Sequence, residues 1–421
     1  MSEDFDHVIL LSADALRADH LSCYGYHRET SPNLDALARE SLLFTSAYSV
    51  SSHTREAVPG LLTGEYPDVA IDSKYRLATD TVASTLSERE FATGGFHSNP
   101  FVSRAYGFDR GFDAFDDDLR LGRNRFVALA QRALDKFRNR HYARAEEINE
   151  RSLSWIDSLE ADERFFLWNH YMDTHGPYEP PSQYAGLYHD GDVSDREAQS
   201  LYKRAIDKPD AISDEERRLL IDLYDAEIRY NDEQLGAFVD ALRERDLLDR
   251  SLLVFTADHG DAFGEHGYYE HPRYLHDEVT HVPLMVRPPG GASGERDDVV
   301  STLDVAPTVE RAVSASEARS GHSLLEAPDE RRVVYQQARG EGEDSSLRRY
   351  AARTSDEACF GEFDTERGSF SVTDCTDDSL REALDTYVDE RVTGGETAVE
   401  DRESDVNGEI DRRLEALGYK E

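Results

Sequence analysis

Lysine is nearly missing from this chain. Of its 47 basic side chains only 5 are Lys and 42 are Arg, against 87 Asp and Glu, for a formal charge of −40. Clustered cations are what a phosphate backbone or an anionic bilayer needs, so this charge balance argues against nucleic-acid and membrane-surface partners. Cysteine is scarce as well. Cys23, Cys359 and Cys375 are too few and too scattered for a disulfide framework or a Cys-rich metal site. No run of about 18 apolar residues occurs, so no transmembrane helix is expected. The opening MSEDFDHVILLSADALR starts acidic, without the basic segment or cleavage site of a secretory signal. A cytoplasmic location is expected.

What is present is enough to fold. The 421 residues are 38% hydrophobic and 10% aromatic, which supports a sizeable core despite the acidity. Heavy acidity with so little Lys is the pattern of a halophilic protein, in which salt screens the self-repulsion that would loosen the fold in dilute buffer.

Apolar runs alternate with amphipathic stretches. His7–Ala13, 165–171, 251–256 and 282–287 read as strands, and Leu43 to Val50 has strand character. Helices are expected over 31–40, over a short or kinked segment from about Arg55 to Leu62, and within 125–160 and 213–247. This alternation predicts an α/β fold: a large domain, residues 1–328, with a central mostly parallel sheet flanked by helices. Four short strand-like pieces within 332–375 predict a small antiparallel sheet in a C-terminal subdomain, residues 329–421. The last 40 residues hold 13 acids and 5 bases, so much of 390–406 reads as a solvated tether.

Chemistry gathers where strands end. Asp14 follows the first strand, Asp258 and His259 follow the 251–256 strand, and Asp173 and His175 follow the 165–171 strand. In parallel sheets such residues emerge at one edge, where ligands bind. Each Asp taken alone reads first as a helix cap. Together, with oxygen and imidazole donors, the set suits one divalent ion: Ca²⁺, Mg²⁺ or Mn²⁺, with Zn²⁺ also admissible. Thr54 stands at the head of a short helix. There a hydroxyl caps free amides or, beside a metal, serves as a nucleophile.

Six motifs in order carry a resemblance. They are Asp14-Ala-Leu-Arg-Ala-Asp-His-Leu-Ser-Cys-Tyr-Gly25, Leu61-Leu-Thr-Gly64 with Tyr66-Pro67, and Asp173-Thr-His-Gly-Pro-Tyr178. Thr256-Ala-Asp-His-Gly-Asp-Ala-Phe-Gly-Glu-His-Gly267, Val282-Pro-Leu-Met285 and Asp304-Val-Ala-Pro-Thr308 complete the set. Across about residues 7–325 the chain resembles the sulfatases of the alkaline phosphatase superfamily. The resemblance implies a metal held by Asp14, Thr54, Asp258 and His259. It implies a covalent nucleophile ten residues before Gly64, which is Thr54. It also implies ester-anion or proton-transfer roles for His175 and His271.

The departures are informative. A formylglycine sulfatase carries Cys or Ser in a Cys/Ser-x-Pro-x-Arg motif, whereas here the residues are Thr54-Arg-Glu-Ala-Val58. Threonine cannot become that aldehyde, so no formylglycine is expected. The usual Asp-Asp after the first strand is Asp14-Ala15, and Gly-Lys-Trp-His is replaced by Gly94-Gly-Phe-His-Ser-Asn-Pro100. The remaining set is similar to threonine-nucleophile members that act on phosphoesters. The expected activity is metal-dependent hydrolysis of a small-molecule or glycan sulfate ester through Thr54. A phosphodiesterase or a phosphoglycerol- or phosphoethanolamine-type transferase is the alternative, and an inactive glycan-binding relative is the reading from another class. Arg17, Arg55 and Asp173 are candidate substrate contacts, and His20, His53, His266 and His276 are candidates at the site's edge.

Overall fold

A computed structural model describes residues 5–118, 142–315, 319–327 and 332–394. Its centre is an eight-stranded sheet, in the order Gly294–Arg296, Leu42–Phe44, Leu284–Arg287, Ser251–Ala257, His7–Ala13, Phe165–Tyr171, Ala92–His97 and Ala114–Asp116. Leu284–Arg287 runs antiparallel to both neighbours, and every other pairing in this sheet is parallel. The fold is therefore α/β with a mostly parallel sheet, as the alternation of patterns predicts.

The three middle strands are buried on both faces, which is why each is a continuous apolar run. Their register brings Ala13 opposite both Tyr171 and Ala257, so the residues that follow leave the sheet side by side. One face packs on the long helix Asp214–Glu244, whose Leu223, Ile228, Leu235 and Phe238 join the core with Leu11 and Leu167. The other face packs on Thr54–Thr63 and Val305–Ala312 through Val58, Leu61, Leu62, Val305 and Val309.

The helix Thr54–Thr63 runs on through Pro59 and ends at Gly64, whose φ of 66° gives the left-handed cap that glycine adopts without strain. His53 precedes it as N-cap, its Nδ1 accepting the Arg55 amide at 3.2 Å. The helical expectation over 125–160 is met by Ala145–Ile156, and residues 119–141 lie outside the described residues.

Val334–Arg339, Leu347–Arg353, Ala358–Asp364 and Ser369–Cys375 form a four-stranded antiparallel sheet. The helix Asp378–Gly394 covers it through Leu380, Leu384 and Val388. That helix corrects the start of the expected tether, since its apolar positions find a partner; 395–406 fall outside the described residues. Cys359 and Cys375 stand opposite each other in this sheet and are joined in a disulfide, a pairing created by strand register rather than visible in sequence spacing. Among the described residues, no helix is long and apolar enough to cross a membrane.

Candidate active site

Thr54, Asp14, Asp258 and His259 converge, and all four are fully buried. His259 Nδ1 lies 3.0 Å from the Gly260 carbonyl, which can only accept, so the ring proton sits there. Its Nε2 lies 3.0 Å from Thr54 Oγ1, 3.5 Å from Asp258 Oδ2 and 3.6 Å from Asp14 Oδ1.

The carboxylates are each held by one oxygen. Asp14 Oδ2 accepts from Asn99 Nδ2 at 2.6 Å and faces His170 Nε2 at 3.2 Å. Asp258 Oδ1 accepts the backbone amides of Ala15 at 3.1 Å and His259 at 2.8 Å. The other oxygens, Asp14 Oδ1 and Asp258 Oδ2, are buried without a hydrogen-bond partner. Two orphaned carboxylate oxygens beside an imidazole nitrogen form a donor set that fits a hard divalent cation, and the ligand atoms of Asp14, Asp258 and His259 lie within 4.8 Å of one another. The electrostatics agree. Burial and then the Asp14 charge push Asp258 upward, whereas for Asp14 the His175, His170 and His259 imidazoles outweigh burial and pull it down.

Three more histidines ring this centre. His271 lies tilted against His259 at 4.4 Å between ring centroids, and His53 and His175 meet His271 edge-on at 5.3 and 5.0 Å. His271 Nδ1 bonds Asp261 Oδ1 at 2.7 Å, and Tyr178 donates to the other Asp261 oxygen at 2.6 Å. Burial and the neighbouring His259 hold His271 down to about 4, so it is neutral at pH 7. His175 gives its Nδ1 proton to the Gly176 carbonyl at 2.6 Å; burial opposes its charging, but Asp14, Asp261 and Glu270 outweigh burial and raise its pKa. A second group of potential ligands, His259, Asp261 and His271, has both Asp261 oxygens already engaged.

The sequence-derived candidates divide clearly. Arg17 is buried and committed internally, to Asp19 at 2.7 Å, Glu265 at 2.7 Å and the Asp261 carbonyl at 3.0 Å. Asp173 turns away into a buried network with Arg144 at 2.8 Å and the Ala145 amide at 3.0 Å. Arg55, in the first turn of the helix Thr54–Thr63, lies over the Phe101 ring at 4.1 Å. His20 pairs with Asp225 at 2.8 Å, while His266 and His276 stack on each other and engage Glu278 and Tyr268. His53 alone of these edge candidates joins the cluster.

Sequence reading missed Asn99 and His170, which orient Asp14, because neither stands in a position that pattern marks as functional. It also missed Glu270, between Tyr269 and His271. Its φ of 67° is the left-handed region that side chains rarely adopt, and burial followed by the Asp261 charge pushes its carboxyl up to about 7.

Comparison with known proteins decides the family. The model of the family described as Sulfatase matches residues 6–314. The chain belongs to the sulfatase family. Among characterised-sequence relatives, human iduronate 2-sulfatase is 27% identical over 67% of this chain and 60% of its own length. An arylsulfatase of Clostridium perfringens is 24% identical over 80% and 82%. Among solved structures, one in complex with its substrate D-glucosamine-2-N,6-O-disulfate is similar with a TM-score of 0.70 at 16% identity, over 94% of this chain and 99% of that one. A phosphonate monoester hydrolase from Silicibacter pomeroyi gives 0.67 at 20% identity, over 92% and 94%. The protein is thus a sulfatase-like ester hydrolase.

Proposed function

We propose that this sulfatase-family protein hydrolyses a sulfate ester through a covalent intermediate on Thr54, in a metal-dependent reaction. The observation that carries this reading is the meeting of the Thr54 hydroxyl with His259 Nε2 at 3.0 Å, beside two orphaned carboxylate oxygens. Asp14, Asp258, His259 and Thr54 would hold a divalent cation, which would supply charge stabilisation to the ester anion and a lowered hydroxyl pKa.

The protein's own groups do the rest. Thr54 sits at a helix N-terminus, where the amide dipoles favour an alkoxide. After losing its proton to solvent, its oxygen attacks sulfur in line, the S–O bond to the alcohol breaks as the alcohol oxygen leaves, and water then cleaves the sulfo-threonine to free Thr54 and sulfate. His175, whose pKa is raised, serves as proton donor to the leaving alcohol. His271 is neutral and donates its Nδ1 proton to Asp261, and its other nitrogen suits an ester-oxygen contact or the acceptance of the attacking water's proton. Because Thr54 replaces the Cys or Ser of formylglycine enzymes, no formylglycine takes part.

A phosphate ester or diester fits the same donors, so wild type and Thr54→Ala are compared on para-nitrophenyl sulfate, phosphate and phosphodiester. The runs use molar KCl, with Ca²⁺, Mg²⁺, Mn²⁺ or Zn²⁺ supplied separately. A metal-dependent sulfatase rate lost in Thr54→Ala supports the proposal. A preferred phosphodiester moves it to the alternative, and no turnover with no metal bound favours the inactive glycan-binding reading.

A further inference from the structure

Beside the nucleophile's helix lies a cationic cluster that hydrolysis of the ester leaves unexplained. Arg55, Arg273 and Arg339 surround the ring of Tyr75, with guanidinium carbons 5.1, 5.7 and 5.4 Å from its centroid. In a chain of charge −40 such a convergence stands apart. Arg339 is spent on backbone carbonyls, those of Asp72 at 2.9 Å and of Pro67 and Ile71 at 3.4 Å. Arg273 and Arg55 face carboxylates instead, Arg273 those of Glu56 and Glu341 and Arg55 that of Glu341. Each keeps a buried Nε donor with no hydrogen-bond partner, and the Arg273 side chain is only 4% exposed.

Buried guanidinium donors left unpaired are costly, and a planar anion is what satisfies them. One anion is already seen there. Glu341, carried on the loop between the first two strands of the C-terminal sheet, lies 2.6 Å from Arg273 Nη2 and 3.6 Å from Arg55 Nη1. Its side chain is half exposed, so it reaches in from the solvent side. Glu56, fully buried, anchors Arg273 from beneath at 3.1 Å.

The scissile group belongs elsewhere, at Thr54 among the buried histidines. Arg55 departs from Thr54 toward the surface, stacked on Phe101 and Tyr75. We propose that Arg55 and Arg273 form a second anion subsite, so that the natural ester carries a further carboxylate or sulfate on its organic part, and that Glu341 occupies this subsite until substrate displaces it. The proposal deepens the reading of Thr54 as nucleophile and rests on it for the position of the scissile group.

The test is calorimetric binding to the full-length Thr54→Ala protein, with para-nitrophenyl sulfate and the same ester bearing a ring carboxylate. The carboxylated ester is expected to bind about tenfold tighter in molar KCl, where a buried, paired guanidinium–carboxylate contact is screened little. Adding Arg55→Gln should bring that ratio close to one, and adding Glu341→Gln should strengthen the carboxylated ester alone by several-fold. Equal affinity for the two esters, including no binding of either, overturns the subsite. So does a ratio that survives Arg55→Gln, and an unchanged or weaker carboxylated ester in Glu341→Gln overturns the role of Glu341. Turnover by Thr54→Ala itself contradicts the nucleophile instead, and the ratio is then read from KM.

Discussion

Thr54 Oγ1 and His259 Nε2 are 3.0 Å apart, and the ring's proton is committed on its far side to the Gly260 carbonyl. Two elements far apart in sequence fix this contact: the N-terminus of Thr54–Thr63 and the end of Ser251–Ala257.

Metal should stabilise the fold as well as the reaction. The Asp14–Asp258 pair carries mutual repulsion that a divalent cation relieves, so added ion is expected to raise the melting temperature. At a hundred times its Kd the gain is about 2.7 kcal/mol. Asp258→Asn should raise the melting temperature of chelated protein and erase the metal-induced rise. Calorimetry with chelator and with each ion checks both signs.

Stability should fall with pH in a window set by Glu227. Burial raises this carboxyl to about 7, with Asp173 adding to the rise and Arg144 opposing it. A raised acid favours the protonated native state, so its contribution is full below about 4.3 and is lost as pH climbs through 7. Glu227→Gln should therefore flatten the decline between pH 5 and 8, by no more than about 3 kcal/mol. An identical decline in the variant would remove Glu227 from the account.

Arg17 should act through the fold. Replacing it with Met strands Asp19 and Glu265, of which Glu265 is partly buried, at a cost of about 2–3 kcal/mol. Denaturant unfolding measures this. A raised KM without loss of stability would return Arg17 to the substrate-contact role its motif suggests.

Salt should stabilise the protein strongly. With 87 acids against 47 bases, screening over about 3 Å at molar ionic strength removes repulsion between surface carboxylates. The melting temperature is expected to climb from dilute buffer to molar KCl, and a flat response would contradict a halophilic design.

Much of this was legible in sequence because it rests on continuous patterns. His7–Ala13 and Phe165–Tyr171 are apolar runs, and strand-end acids announce themselves once the sheet is parallel. Ala92–His97 was not legible. Its Gly94 and Gly95 look like a turn, yet Gly94 lies under Trp155, where a Cβ would come within 2.7 Å of the indole. The helix Asp378–Gly394 hid behind acidic composition, since its apolar positions are spaced thinly along an exposed surface. Arg17 and Asp173 show that a motif records where a residue stands in the chain, not which neighbour across the fold takes its charge. Asn99, His170 and Glu341 meet the site only through tertiary packing, which no local pattern records.

The central claim is that Thr54 carries the covalent intermediate, and the most direct measurement is intact-protein mass spectrometry on acid-quenched turnover of para-nitrophenyl sulfate with metal present. The account predicts an added mass of one sulfo group, mapped to the peptide holding Thr54 and missing from both Thr54→Ala and chelated protein. Turnover that proceeds unchanged in Thr54→Ala, or an adduct mapped to another residue, would contradict it.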